Sequence, residues 1–305
     1  MKNISRRGFL KTGSMALASA AFLTDSASVL TMKKRKIVGI QLYSVREDMK
    51  RDPLSTLKQV AGMGYKFVEH ANYVDRKFYG YAAKDFKKVL DDLGLKMLSG
   101  HTVMGKQHWD AAKNDFTDAW KFTVEDAATV GQKYVVSPWL DADLRKTADD
   151  LKRYMDVFNK SGALCQKSGM KFGYHNHHFE FAEKFGDQTV FDIILQNTDP
   201  KLVAQQLDIG NMFNGGAKAQ DILTKYTGRF ELMHVKDEIE APAGSREKYE
   251  SAVLGTGIIN VKEVIDLGKK MGNTVHFIIE QESYQGKQPL DSIKEDLAVM
   301  KKWNY

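Results

Sequence analysis

The sequence predicts a closed α/β barrel of eight parallel strands. Three observations point there. From Lys36 onward, short apolar segments alternate with amphipathic helical ones eight times. Glycines mark the passage from helix to strand. Nearly every apolar segment ends in polar or ionisable residues. Eight βα units in about 270 residues suit a (βα)8 TIM barrel. An open doubly wound sheet is the alternative, but no Gly-x-Gly-x-x-Gly turn follows the first strand.

In order, the predicted strands are Ile37–Tyr43, Lys66–His70, Lys96–His101, Lys133–Trp139, Lys171–His177, Val203–Asp208, Glu231–Lys236 and His276–Glu282. The predicted helices are Pro53–Met63, Lys84–Leu93, Phe116–Val130, Thr147–Ser168, Phe191–Gln196, Ala217–Tyr226, Val261–Met271 and Leu290–Trp303. Gly64, Gly94, Gly131, Gly169 and Gly272 stand where a helix C-terminus favours positive φ. No Pro/Ser-rich linker interrupts the pattern, so residues 31–305 read as one domain. The charged stretch Glu238–Val253 reads as a long βα loop, a lid or an inert insertion.

Residues 1–30 read as an address. Ser5-Arg6-Arg7-Gly8-Phe9-Leu10-Lys11 precedes a weakly apolar run, Met15–Leu23, matching a twin-arginine signal peptide. Cleavage after Ala20 or after Ser28 fits equally, and the run is too short to span a bilayer. The expected location is the bacterial periplasm, with no membrane insertion once the signal is removed.

The formal net charge is +6, of which the first thirty residues supply +3 and Lys33–Lys36 supply +4, so the body carries 6 − 3 − 4 = −1. A nucleic-acid partner needs a basic surface, and this body has none. One cysteine, Cys165, excludes an intrachain disulfide framework and reads as a buried thiol.

Barrel chemistry gathers at the C-terminal ends of the strands. Those ends read Val68-Glu69-His70, Ser99-Gly100-His101, Ser137-Pro138-Trp139, Tyr174-His175-Asn176-His177-His178, Gln206-Leu207-Asp208, His234-Val235-Lys236-Asp237 and Ile279-Glu280-Gln281-Glu282. Six of the eight histidines lie there: His70, His101, His175, His177, His178 and His234. Side chains alternate along a strand, so His175 and His177 share a face, as do Gln206 and Asp208, His234 and Lys236, and Glu280 and Glu282. His178 falls on the other face. A nitrogen/oxygen donor set of this kind suits one divalent Mn, Co, Zn or Fe ion.

Four segments resemble the xylose isomerase-like barrels, the sugar phosphate isomerase/epimerase group with its inosose-dehydratase and endonuclease relatives. They are Tyr174-His175-Asn176-His177, Leu207-Asp208-Ile209-Gly210-Asn211, His234-Val235-Lys236-Asp237 and Ile279-Glu280-Gln281-Glu282. The Gly-x-Gly turn Leu254-Gly255-Thr256-Gly257 adds a fifth. The resemblance implies a metal held by His175, Asp208, His234 and Glu280. His175 departs from the glutamate that the group usually carries, and resembles the dehydratase-like branch. Asn211 stands where the endonucleases carry a further histidine, which argues against a DNA substrate.

The implied function is a divalent-metal-dependent isomerase or epimerase acting on a sugar or keto-sugar through an enediolate. The alternatives are a keto-sugar or inosose hydratase/dehydratase and a non-catalytic sugar-binding barrel. Glu280, His177 and Lys236 are the expected catalytic groups. Glu69, His101, Trp139, Gln206 and Glu282 are the expected substrate contacts. Metal affinity is expected to weaken below about pH 6, where imidazoles protonate. A homo-oligomer stays open.

Overall fold

The computed structural model describes residues 37–245 and 247–305; the twin-arginine segment lies outside the described residues. Eight parallel strands close into a barrel: β1 (Ile37–Gln41), β2 (Phe67–His70), β3 (Lys96–His101), β4 (Tyr134–Ser137), β5 (Lys171–His175), β6 (Val203–Asp208), β7 (Leu232–Val235) and β8 (His276–Ile279). Each pairs with its chain neighbours, and Ile37 opposite His276 closes the ring. All eight predicted strands form. Several end earlier than predicted, because the polar residues beyond them leave the ladder to enter the mouth loops.

The outer helices are α1 (Pro53–Met63), α2 (Ala83–Asp92), α3 (Asp118–Val130), α4 (Ala148–Gln166), α5 (Val190–Asn197), α6 (Ala219–Lys225), α7 (Val261–Leu267) and α8 (Pro289–Lys302). Local chemistry starts several of them. Asp52 accepts from Ser55 N ahead of Pro53, and Thr147 and Asp150 form a reciprocal capping box. Gly64, Gly94, Gly131 and Gly169 take positive φ as expected. Gly272 does not. After α7 a wide turn over Gly268–Gly272 moves the left-handed position one residue on, to Asn273 at φ 64°.

Two apolar layers hold the barrel. Leu57, Phe86, Trp120, Phe158, Ile193 and Ile293 pack between helices and strands, with the buried thiol of Cys165 pushed up to about 12 by burial. A separate cluster of Tyr134, Val136, Ala204, Leu232 and Ile278 forms a smaller core. Alternation puts Ala204 on the same strand face as Gln206 and Asp208, and Leu232 on that of His234. The small cluster is therefore an apolar plug inside the barrel, and the polar site stands on it.

The stretch read as a long loop is a hairpin, Asp237–Glu240 against Tyr249–Ala252. Its base is fixed by the Asp237 carboxylate, which accepts from the backbone N–H groups of Glu238, Gly255, Gly257 and Ile259 at 2.8–3.1 Å. A Cβ on Gly257 would lie 2.3 Å from Asp237 Oδ1, which explains the second glycine of the turn. Asp237→Ala orphans these buried donors and should cost about 3 kcal/mol in urea denaturation. Retention of wild-type stability would show that water replaces the carboxylate.

Candidate functional site

The site rises from the plug in two polar tiers. The lower tier centres on Glu69, which is 1% exposed. Its Oε1 accepts from Gln41 Nε2 (2.8 Å) and His234 Nε2 (2.6 Å), and lies 3.1 Å from His101 Nε2. Its Oε2 accepts from Gln206 Nε2 (2.8 Å) and from Ser99 Oγ. Register supplies two of these donors, since Gln41 and Ser99 are the cross-strand partners of Glu69. Burial alone would raise the carboxyl pKa, but the facing His101 and His234 hold it well below the usual range.

The upper tier holds His175, Asp208, His234 and Glu280, all buried, with one donor atom from each lying within 4.8 Å of the others. Each histidine is oriented from below. His175 Nδ1 bonds Gln206 Oε1 at 3.0 Å, and His234 Nε2 bonds Glu69. That leaves His175 Nε2 facing Asp208 Oδ2 at 3.8 Å, and His234 Nδ1 facing Glu280 Oε2 at 3.1 Å. Asp208 Oδ1 accepts from Asn211 N, while Oδ2 is buried without a hydrogen-bond donor. Asn176 braces the strand end by bonding both the N–H and the C=O of Asp208.

Lys236 completes this tier. Its Nζ lies 2.8 Å from Glu280 Oε2, 3.0 Å from Glu282 Oε2 and 3.2 Å from Asp208 Oδ2. The last contact is an ion pair out of hydrogen-bond alignment, consistent with the free Asp208 Oδ2. Gly210 makes the lysine's path possible, because a Cβ there would meet Lys236 Cδ at 2.8 Å.

These contacts set the titration. Burial alone would raise Glu280, but Lys236 and His234 hold it well below the ordinary carboxylate range. Burial pushes Asp208 up to about 6 against the pull of Lys236. Burial would depress His234, yet Glu280 and Glu69 raise it to about 10. Burial and the Lys236 charge depress His177 to about 3. His177 is thus a neutral imidazole, not one poised near neutral pH as its residue type suggests.

Above the tiers opens a cavity of about 770 Å³, whose lining includes His101, His175, His177, Glu280, Glu282 and Trp139. Trp139 packs edge-on against His177, with ring centroids 5.1 Å apart. Not every expected contact is on this surface. Glu69 and Gln206, expected as substrate contacts, are buried below the histidines, bonded to them, and outside the cavity lining. Lys236, expected among the catalytic groups, is 1% exposed and does not line the cavity. His70 packs edge-on against Phe78 away from the cavity, and His178 is exposed. Sequence reasoning missed Gln41 and Ser99; their positions at strand ends in register with Glu69 were the available signal.

The donor set fits a divalent metal. It joins two carboxylates to two imidazoles whose second nitrogens are already bonded, and it contains one orphaned carboxylate oxygen.

Comparison with known proteins is consistent with this geometry. Residues 57–303 match the xylose isomerase-like TIM barrel family. A crystal structure of a sugar phosphate isomerase/epimerase from Parabacteroides distasonis superposes with a TM-score of 0.73 at 26% identity, covering 91% of this chain and 96% of that one. The inosose dehydratase of Geobacillus thermodenitrificans is 28% identical over 164 residues, covering 50% of this chain and 53% of the relative. The chain thus spans about half the length of that curated relative. The IOLI protein, solved with a bound zinc atom, shares the fold at a TM-score of 0.67 and 15% identity, covering 88% of this chain and 97% of that one.

The titration makes a prediction for chelator-treated protein. A histidine raised to about 10 stabilises the fold fully below its unfolded value of about 6.5, and this is lost as pH rises toward 10. The depressed Glu69 and Glu280 stabilise above about 4.3, and this is lost on acidification. Urea midpoints should therefore peak between about pH 5 and 6.5 and fall by pH 9, with the alkaline limb flattened in His234→Asn. A flat profile from pH 6 to 9 would contradict a His234 cation between two carboxylates.

Proposed function

Because the chain belongs to the xylose isomerase-like TIM barrel family, we propose that it is a divalent-metal-dependent isomerase or epimerase of a sugar or keto-sugar. The observation that carries the reading is the convergence of His175, Asp208, His234 and Glu280 under an open cavity, each histidine held by a second group.

Asp208 Oδ2, His234 Nδ1, Glu280 Oε2 and His175 Nε2 would hold the metal. A divalent ion there supplies a Lewis acid that stabilises negative charge on a substrate carbonyl oxygen and so favours loss of the adjacent C–H proton. The chain's own groups do the rest. His177 and Glu282 reach the cavity beside Glu280, and any of the three is a candidate to take that proton and return it at the neighbouring carbon. The Lys236 ammonium holds Glu280 ionised and pairs with Glu282. His101 and Trp139 line the space for the sugar ring.

One observation favours the second reading, a keto-sugar or inosose hydratase/dehydratase. Strand β5 presents His175 where the group usually carries glutamate, so β5 and β8 do not together supply two carboxylates. The 28% identity to an inosose dehydratase points the same way. In that reaction the enediolate expels a β-hydroxyl instead of regaining a proton at the neighbouring carbon.

For residues 1–30 we propose twin-arginine export, with residues 31–305 as the one mature domain in the periplasm. An exported enzyme of this kind meets few phosphorylated sugars, which favours an unphosphorylated substrate.

Two measurements test this reading. Metal analysis should find about one equivalent of Mn, Co, Zn or Fe, lost in Asp208→Ala, and D₂O incubation followed by NMR should separate proton exchange from gain or loss of water. No metal, even after reconstitution, would sink the mechanism. Calorimetry in buffers of different ionisation enthalpy should also show about one proton released per metal at pH 7, because His234 Nδ1, facing Glu280, would have to give up its proton to serve as a donor. The pH dependence of affinity should accordingly extend well above the value near 6 expected of free imidazoles.

A further inference from the structure

Six large hydrophobic side chains are exposed among the described residues: Tyr43, Val74, Val103, Phe122, Trp139 and Ile258. Exposed apolar residues scattered singly need no explanation. Here all but Ile258 line one concavity, the same 770 Å³ cavity that reaches His175 and Glu280. Apolar groups concentrated on one concave wall mark a binding surface.

The outer wall is built. Phe122 lies on α3 with Ala119, one turn earlier, and the adjacent Thr123 also in the lining. Val74 belongs to a small three-stranded ribbon over residues 73–82. Arg76 of that ribbon sits 4.1 Å from the Phe122 ring centroid. Its guanidinium bonds both oxygens of Asp126 on α3 at 2.8 and 2.9 Å, and Tyr73 Oη donates to the same carboxylate at 2.6 Å. One side of the ring is thus covered by a pinned cation, yet Phe122 remains 40% exposed. The cavity therefore has a polar floor at Glu280 and His177 and a preorganised outer wall on which Val74, Val103 and Phe122 form an apolar strip among Asn72, Asp75, Arg76 and Thr102. A single sugar ring would satisfy the floor and leave that wall wet.

Resting on the reading of the floor as a sugar site, we propose that the substrate is a sugar or keto-sugar bearing an aromatic substituent, whose ring packs against Phe122, Val74 and Val103. A second sugar fits this wall less well. These three side chains offer no donor or acceptor, the Arg76 guanidinium beside them is already bonded to Asp126, and hydroxyls buried against the strip would lose water without replacement.

The test uses metal-loaded full-length protein and matched methyl and phenyl glycosides of several hexoses and pentoses, with affinities from calorimetry. The phenyl compound should bind at least about tenfold more tightly than its methyl partner, from the added apolar burial. Phe122→Ala should bring that ratio near one while leaving methyl glycoside affinity unchanged, and Val103→Asn should reduce it. Methyl binding with no phenyl gain, a disaccharide bound more tightly than the phenyl compound, or equal weakening of both ligands in Phe122→Ala would each overturn the proposal and leave the sugar reading standing. If the protein holds metal and binds neither glycoside, the sugar reading falls and this proposal falls with it.

Discussion

The buried carboxylate of Glu69 is the constraint on which the site depends. A lone carboxylate deep in a barrel is costly by several kcal/mol even after relaxation. It is tolerated here because five side chains from other strands point donors at it: Gln41, Ser99, His101, Gln206 and His234. Each donor is thereby fixed in rotamer, and two of them, Gln206 and His234, carry the order upward. Gln206 turns the His175 ring and Glu69 turns the His234 ring, so the geometry of the upper tier is inherited from the lower one.

Charge balance explains the rest of the arrangement. Three buried carboxylates, Glu69, Asp208 and Glu280, face two buried cations, His234 and Lys236. The arrangement is one positive charge short, and the deficit falls where Asp208 Oδ2 lacks a donor. A divalent ion displacing one proton from His234 would add one net positive charge at that place. Lys236 lets the same pocket persist without the ion, and Gly210 is the backbone concession that lets a lysine stem lie beside β6.

The fold divides these tasks cleanly. The strands supply register and therefore the tiers; the mouth segments supply shape. The ribbon at residues 73–82 is tied to α3 by Asp126, and the hairpin is fixed at its base by Asp237, each a carboxylate that accepts several bonds. Rigid walls limit the ordering cost of ligand binding, which suits a cavity with chemically distinct ends.

The eightfold alternation made the barrel legible in the sequence, because a period of two or of 3.6 is a local property of the chain. The convergence of His175, Asp208, His234 and Glu280 was legible for a related reason: each lies at or next to a strand end, and strand ends in a parallel barrel share one mouth. What local pattern could not decide is which polar residues at that mouth meet solvent. Glu69, Gln206 and Lys236 look in sequence like His101, Trp139 and Glu282, yet the first three are buried and the others reach the cavity. That division follows from strand stagger and barrel closure, which set the height of each side chain along the axis. The apolar outer wall was invisible for a related reason: Val74, Val103 and Phe122 come from separate loops and a helix, and only the tertiary structure brings them to one surface.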